Sequence, residues 1–166
     1  MSDITRYDKV NQFLNYLQFE KRYAAHTVTS YSNDLVQFFD YLATQYEMDE
    51  MQLVNSSMVR SWLASMKEQG MTSKSLNRKI SALKSFYKYF MRQGVVKKSP
   101  METVISPKVN KRLPQFVAEN DMITLLNGLE YHEGWKGYTE KMVIQLFYAT
   151  GMRLSELIQC KESQLD

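Results

Sequence analysis

The sequence predicts an all-α fold in two parts, and two observations carry that prediction. Apolar residues recur at three- and four-residue intervals in six stretches, the signature of helices with one buried face. The prolines Pro100, Pro107 and Pro114 all fall between Val95 and Phe116. Proline lacks the amide donor that a helix interior needs. Residues 95–116 therefore read as an extended linker between a four-helix domain over residues 1–94 and a second, mainly helical part over 117–166.

Tyr7–Arg22 is the first expected helix. Val10, Phe13, Leu14 and Leu17 form its stripe, and Asp8 suits the positive end of its dipole. After a break at Tyr23, Ala24 and Ala25, His26–Gln45 is the second, with Tyr31, Leu35, Phe38, Phe39 and Leu42 on its core side. Its first turns carry His26, Thr27, Thr29, Ser30, Ser32 and Asn33. These are weak helix formers, and two explanations stand side by side. One is capping plus ordinary surface. The other is hydrogen bonding, by Thr27 and Ser30 above all, to phosphate oxygens or base edges. Glu47–Gln52 then leads to a third helix, capped by Ser56 or Ser57 and running to Gln69, with Val59, Trp62, Leu63 and Met66 inward.

The fourth helix, Thr72–Gly94, organises the rest. Leu76, Ile80, Leu83, Tyr87, Phe90 and Met91 form its stripe, with Phe86 also placed in the core. Lys74, Arg78, Ser81, Ser85, Lys88 and Arg92 fall opposite. Thr72 or Ser73 can cap its start and a left-handed Gly94 its end. About 22 residues at ~1.5 Å each span roughly 33 Å, close to one turn of duplex DNA. Between Glu68 and Glu102 there is no acidic residue but eight basic ones: Lys74, Arg78, Lys79, Lys84, Lys88, Arg92, Lys97 and Lys98. Like charges at i,i+4 repel, so a face of one sign calls for an outside counter-charge. Closely spaced nucleic-acid phosphates are the commonest source, which makes Lys74, Arg78, Ser81, Lys84 and Lys88 candidate contacts. A basic helix without a partner, or one that meets an acidic protein, is the alternative.

The linker adds Lys97, Lys98, Lys108, Lys111 and Arg112, either as a run beside the same polyanion or as an ordinary charged hinge. Ala118–Leu129 reads as a fifth helix. A loop, Glu130–Gly137, precedes a more apolar sixth, Thr139–Thr150, expected to be buried. The chain stops sixteen residues after Thr150, so the second part is expected to be incomplete and, over residues 113–166, only partly ordered or self-associating.

Formal net charge is +3, unevenly divided. Residues 1–66 hold five basic against eight acidic residues, 67–112 twelve against two, and 113–166 four against eight. That distribution points to a localised binding surface. The single cysteine, Cys160, excludes an intramolecular disulfide and suits a reducing cytoplasm. With His26 and His132 it makes no zinc-ligand cluster. No run approaches ~18 apolar residues, so no membrane span is expected. The N-terminus MSDITRYDK lacks the apolar core of a signal peptide. Neither a glycine-rich phosphate loop nor a Ser/His/Asp arrangement is present.

One further stretch, YATGMRLSEL over Tyr148–Leu157, has a definite physical reading. Gly151 ends a helix, Arg153 occupies the turn, and Ser155 caps a short following helix with Glu156 in its first turn. An arginine held between two helix ends suits bidentate phosphate binding, and a structural Arg–Glu pair is the alternative.

This stretch resembles the "ATGLR-x-SEL" box of the tyrosine recombinases, the lambda-integrase-like site-specific recombinases. SKSLNRKISALKSFYKYF resembles the last helix of their core-binding domain, with its "R-x-SALR-x-FY" pattern. HTVTSYSNDLVQF resembles its "NTLRAYRRDLRRF" helix, and SPKVNKRLPQFV resembles the interdomain linker. Order and spacing agree over nearly the whole chain, most closely with the Xer-type recombinases. One departure is Ala24-Ala25, where the family often has Ser-Pro.

The resemblance implies a four-helix SAM-like core-binding domain, followed by a mainly helical part of an α+β catalytic domain. It implies double-stranded DNA as partner, with the second and fourth helices toward the major groove, a clamp closed by the catalytic domain, and a tetrameric synapse. It implies strand exchange through a 3′-phosphotyrosyl link, with no nucleotide or metal cofactor. Arg153 matches the first catalytic arginine and Glu156 the acidic residue supporting it. The family's lysine, second arginine, His/Trp position and nucleophilic tyrosine lie downstream of this box and are not in the chain. The chain is therefore expected to bind DNA without cutting it, with a non-catalytic helical DNA-binding regulator or a helical protein–protein adaptor as the alternatives.

Overall fold

The first helix, α1 (Ser2–Asn15), runs directly into a π-helical turn, Tyr16–Glu20. The computed structural model describes residues 2–48, 50–109, 116–161 and 163, and no strand occurs among them. α2 (Ala25–Tyr46), α3 (Ser56–Glu68) and α4 (Ser73–Arg92) complete a first unit, residues 1–111. α5 (Glu119–Gly128), α6 (Trp135–Thr150) and α7 (Leu154–Ile158) belong to a second, residues 112–166.

In the first unit the core is built around α4. Its Phe86 ring meets Phe13 of α1, Phe39 of α2, and Tyr87 and Phe90 of its own helix, with centroids 4.9 to 5.5 Å apart. Trp62 of α3 is fully buried against Phe38, 5.0 Å between rings. Edge-on contacts of this kind add to the area buried. The buried arc of α4 is wider than one stripe, because α2 and α3 pack on it and Phe13 of α1 reaches its Phe86 and Tyr89 rings. Lys79, Ala82 and Tyr89 are buried along with the expected residues, Phe86 among them, whereas Met91 is 39% exposed. Tyr87 donates to the Met51 carbonyl at 3.4 Å, and burial pushes its phenol far above the usual range.

Two caps were located by the structure. Thr72 accepts from the Ser75 amide at 3.3 Å, as expected. α3, however, is capped by Asn55, whose Oδ1 accepts from the Ser57 and Met58 amides at 2.9 and 3.1 Å. Ser56 instead donates to the Pro100 carbonyl at 2.8 Å. Asn can reach two orphan amides from the extended N-cap conformation, which neither serine occupies.

That Ser56–Pro100 bond belongs to a larger departure. Residues 95–109, expected as linker, pack on the first unit. Val96, Met101 and Val104 are buried, Asn77 donates to the Pro107 carbonyl at 2.9 Å, and Arg60 donates to Thr103 at 3.2 Å. Proline prevents helix here but not burial, and the apolar residues between the prolines seat in the core. The division between units falls after Lys111 rather than after Gly94. Lys111, Arg112 and Pro114 lie outside the described residues.

In the second unit α6 starts at Trp135, ahead of Thr139, and takes in Gly137. A Cβ at residue 137 would lie 1.7 Å from the His132 carbonyl oxygen, so only glycine permits that turn. Gly151 closes α6 in the left-handed region (φ 64°), its amide bonded to the Phe147 carbonyl at 2.9 Å. α6 is not the buried element its composition suggests. α5 is the helix it packs against most, and Met142 remains 56% exposed.

Candidate nucleic-acid interface

Packing of α4 decides what faces outward. With its apolar arc turned in, Lys74, Arg78, Ser81, Lys84, Lys88 and Arg92 are exposed. Ser81 donates back to the Asn77 carbonyl at 2.9 Å, which leaves its oxygen as an acceptor toward solvent.

The N-terminal half of α4 is tied to α2. Arg78 Nη1 donates to the Ser30 carbonyl at 3.1 Å and to Asp34 Oδ2. Asp34 Oδ1 accepts from Lys79 Nζ at 2.9 Å, and the same ammonium donates to Gln37 Oε1 and stands 5.4 Å from the centre of the Trp62 ring. The structure thus brings Ser30 and Arg78 together, while half-buried Thr27 lies one turn earlier on α2. Lys79 is interior, not a surface cation. A buried ammonium left alone would cost several kcal/mol. Here a carboxylate, an amide oxygen and an aromatic face surround it.

Sequence reasoning missed this cluster, although a signal was present. Lys79 falls between Leu76 and Leu83, and Asp34 between Tyr31 and Phe38, each on the inward arc of its helix. The consequence is electrical. Arg78 and Lys79 share one internal carboxylate. Among the described residues Lys74, Lys84, Lys88 and Arg92 have none. Lys84, Lys88 and Arg92 follow at four-residue steps, ~6 Å each along the axis, and an external anion relieves their mutual repulsion.

In the second unit Arg153 and Glu156 are also brought together. Glu156 Oε2 accepts from the Arg153 amide at 2.7 Å and its Oε1 from Arg153 Nη1 at 2.8 Å. The backbone hydrogen bond first, then the side-chain one, hold the Glu156 carboxyl below the usual range. Arg153 stands at the N-cap position, so Ser155 lies inside α7 rather than capping it. The Arg–Glu pair is formed, and the Arg153 side chain is still 82% exposed, with further donors toward solvent. In the same unit the His132 ring hydrogen-bonds Glu140 Oε2 at 3.0 Å, and that bond lowers the Glu140 carboxyl. Among the described residues no group of three or more His, Cys, Asp or Glu could hold a metal ion. No helix among them is long and apolar enough to cross a membrane.

Residues 10–94 match the family described as "Phage integrase, N-terminal SAM-like domain". Tyrosine recombinase XerC of Bacillus pumilus is 36% identical over 157 residues, which are 95% of this chain and 51% of that protein. XerC of Staphylococcus epidermidis is 35% identical over 160 residues, 96% of this chain and 53% of that protein. Tyrosine recombinase XerD of Staphylococcus aureus is 30% identical over 149 residues, 90% and 50% respectively. The chain spans about half the length of these curated relatives. No solved structure matches it. The matched residues include all of α2, α3 and α4 and the C-terminal part of α1, and with them half of the chain. On that evidence the chain belongs to the phage integrase family, through an N-terminal SAM-like domain.

Proposed function

We propose that this chain is the duplex-binding region of a site-specific tyrosine recombinase, with the exposed side of α4 and the start of α2 as its DNA face. One observation carries the reading: Lys74, Lys84, Lys88 and Arg92 line a face with no internal counter-charge among the described residues, in a segment without acid from Gln69 to Met101. Lys74, Lys84 and Lys88 supply phosphate contacts. Ser81, Thr27 and Ser30 supply short hydrogen-bonding groups beside them, and Arg78 joins the two helices.

In the complete reaction Arg153 binds the non-bridging oxygens of the scissile phosphate, and Glu156 keeps that arginine oriented. Fixed positive charge at that point stabilises the pentacoordinate transition state. A tyrosine forms the 3′-phosphotyrosyl link, at a position downstream of the Arg153 box in the family this chain resembles. The part assigned to this chain is duplex binding rather than cleavage, with no need of metal or nucleotide and with self-association on DNA as part of a synapse.

The test is fluorescence anisotropy with a random duplex from low to physiological salt. The reading expects micromolar binding with a steep negative slope of log affinity against log salt. Absence of binding at low salt would remove DNA as the partner and favour an acidic protein for the same face.

A further inference from the structure

Beside the α4 face lies a groove that neither the recombinase motifs nor the basic helix accounts for. It is lined by Tyr16, Lys21, Tyr23, Ser85, Lys88 and Arg92, with Phe13, Leu17 and Tyr89 beneath. The π-helical turn shapes it. The Lys21 amide bonds to the Tyr16 carbonyl at 3.0 Å, a five-residue step, and the Tyr23 amide bonds to the Leu17 carbonyl at 3.0 Å. Between them Arg22 takes a left-handed conformation (φ 53°), unusual for a residue with a side chain. A widened turn followed by a left-handed residue is the kind of local irregularity that recurs at functional sites.

These features fix a cation. Lys21 Nζ sits 5.7 Å from the centre of the Tyr16 ring, and Tyr16 stacks 4.5 Å from Tyr89 of α4. The ring pair thus anchors Lys21 to the helix that carries Lys88 and Arg92. No acidic side chain among the described residues lines the groove. Among the described residues Lys21, Lys88 and Arg92 form no ion pair. Arg92 alone is enough to offset the dipole at the end of α4, which leaves Lys21 and Lys88 in excess.

We propose that this groove is a phosphodiester site for the DNA backbone at one end of the α4 face, with Lys21 its distinguishing residue. It rests on the reading of α4 as the DNA face, since Lys88 and Arg92 border both. Lys21, Lys88 and Arg92 surround one phosphate, and the hydroxyls of Ser85 and Tyr23 stand within the same groove as neutral donors.

The experiment compares the unaltered chain with Lys21→Gln, Lys21→Arg and Lys67→Gln by anisotropy over a salt series. Lys67, on α3, lines a different groove with Leu76 and Pro107, and its loss changes net charge by the same amount. The proposal expects Lys21→Gln to weaken binding several-fold and flatten the log–log slope by about 0.9. Lys21→Arg should keep both, and Lys67→Gln should leave the slope unchanged. An unchanged slope in Lys21→Gln overturns the site while leaving the α4 reading intact, provided Lys84→Gln still weakens binding. Equal losses in Lys21→Gln and Lys67→Gln also overturn it, by showing net charge alone at work. No binding by the unaltered chain defeats the α4 reading itself.

Discussion

Asp34 of α2 and Lys79 of α4 form an ion pair at 2.9 Å with side chains only 1% and 5% exposed. Because Arg78 occupies the other carboxylate oxygen, one acid holds two cations of the helix read as the DNA face. Asp34→Asn leaves Lys79 buried without a counter-charge and should destabilise the domain by about 3 kcal/mol or more. Lys79→Met should cost clearly less, since Arg78 still neutralises Asp34 and the methionine fills the same channel. Urea midpoints of the two variants check the order, and equal costs would mean that the carboxylate is not what joins α2 to α4.

The exposed lysines should behave differently. Lys84→Gln and Lys88→Gln should each flatten the salt slope of DNA binding by about 0.9 with stability unchanged. By sequence, Arg78→Ala is expected to cost about one such unit. Its pairing with Asp34 changes the expectation, because a cation with an internal counter-ion releases less on binding phosphate. Arg78→Ala should mainly lower stability and move the slope by less than half as much as either lysine. A full unit lost at unchanged stability would return Arg78 to direct phosphate contact.

Asn55 caps α3 through two amides. Asn55→Ala should therefore cost about 1 kcal/mol, whereas Ser57→Ala should fall within about 0.5 kcal/mol of the unaltered chain. Chemical denaturation of both variants distinguishes them.

Truncation locates the end of the first unit. A chain ending at Gly94 loses the buried Val96, Met101 and Val104. It should be less stable than one ending at Val109 by about 3 kcal/mol or more, taking each buried side chain at the low end of its usual contribution. Equal melting of the two would show that these residues add nothing to the core.

Glu156 offers a pH test. Its folded carboxyl lies below the ordinary 4.5. The contribution of its hydrogen bonds is therefore present at neutral pH, where folded and unfolded forms are both ionised, and fades as pH falls through the folded value. Carboxyl titration by NMR should give a midpoint below 4.5. Arg153→Gln should raise it only partway, because the leading cause is the residue 153 amide, which survives the substitution.

Much of this molecule was legible in the sequence. Helical spacing located α2 and α4 to within a residue or two, because each has an unbroken apolar arc and a clear end. The basic face was legible for the same reason: charge on a helix surface can be counted without knowing its partner. Four things were not. Asn55 lost to two adjacent serines in the reading of α3 because cap preference ranks all three alike. Val95–Val109 was read as free chain because proline excludes helix, yet proline says nothing about burial. The pairing of Asp34 with Lys79 went unread because charge is normally outside, although both fall on the inward arcs of their helices. The Tyr16–Lys21 groove had no sequence signal, since a π-helical turn has the same composition as an α-helical one.

The bond from Ser56 to the Pro100 carbonyl spans 44 residues, as does the pair of Asp34 with Arg78. Contacts of such sequence separation close late, after long loops have been ordered. During synthesis the helices can form as they emerge, but the core lacks Met101 and Val104 until the ribosome has released the chain past them. The half-built bundle meanwhile presents open apolar surface. Folding of this domain is thus coupled to the arrival of a short proline-bearing tail, and substitutions in that tail should act on the yield of folded protein before they act on DNA.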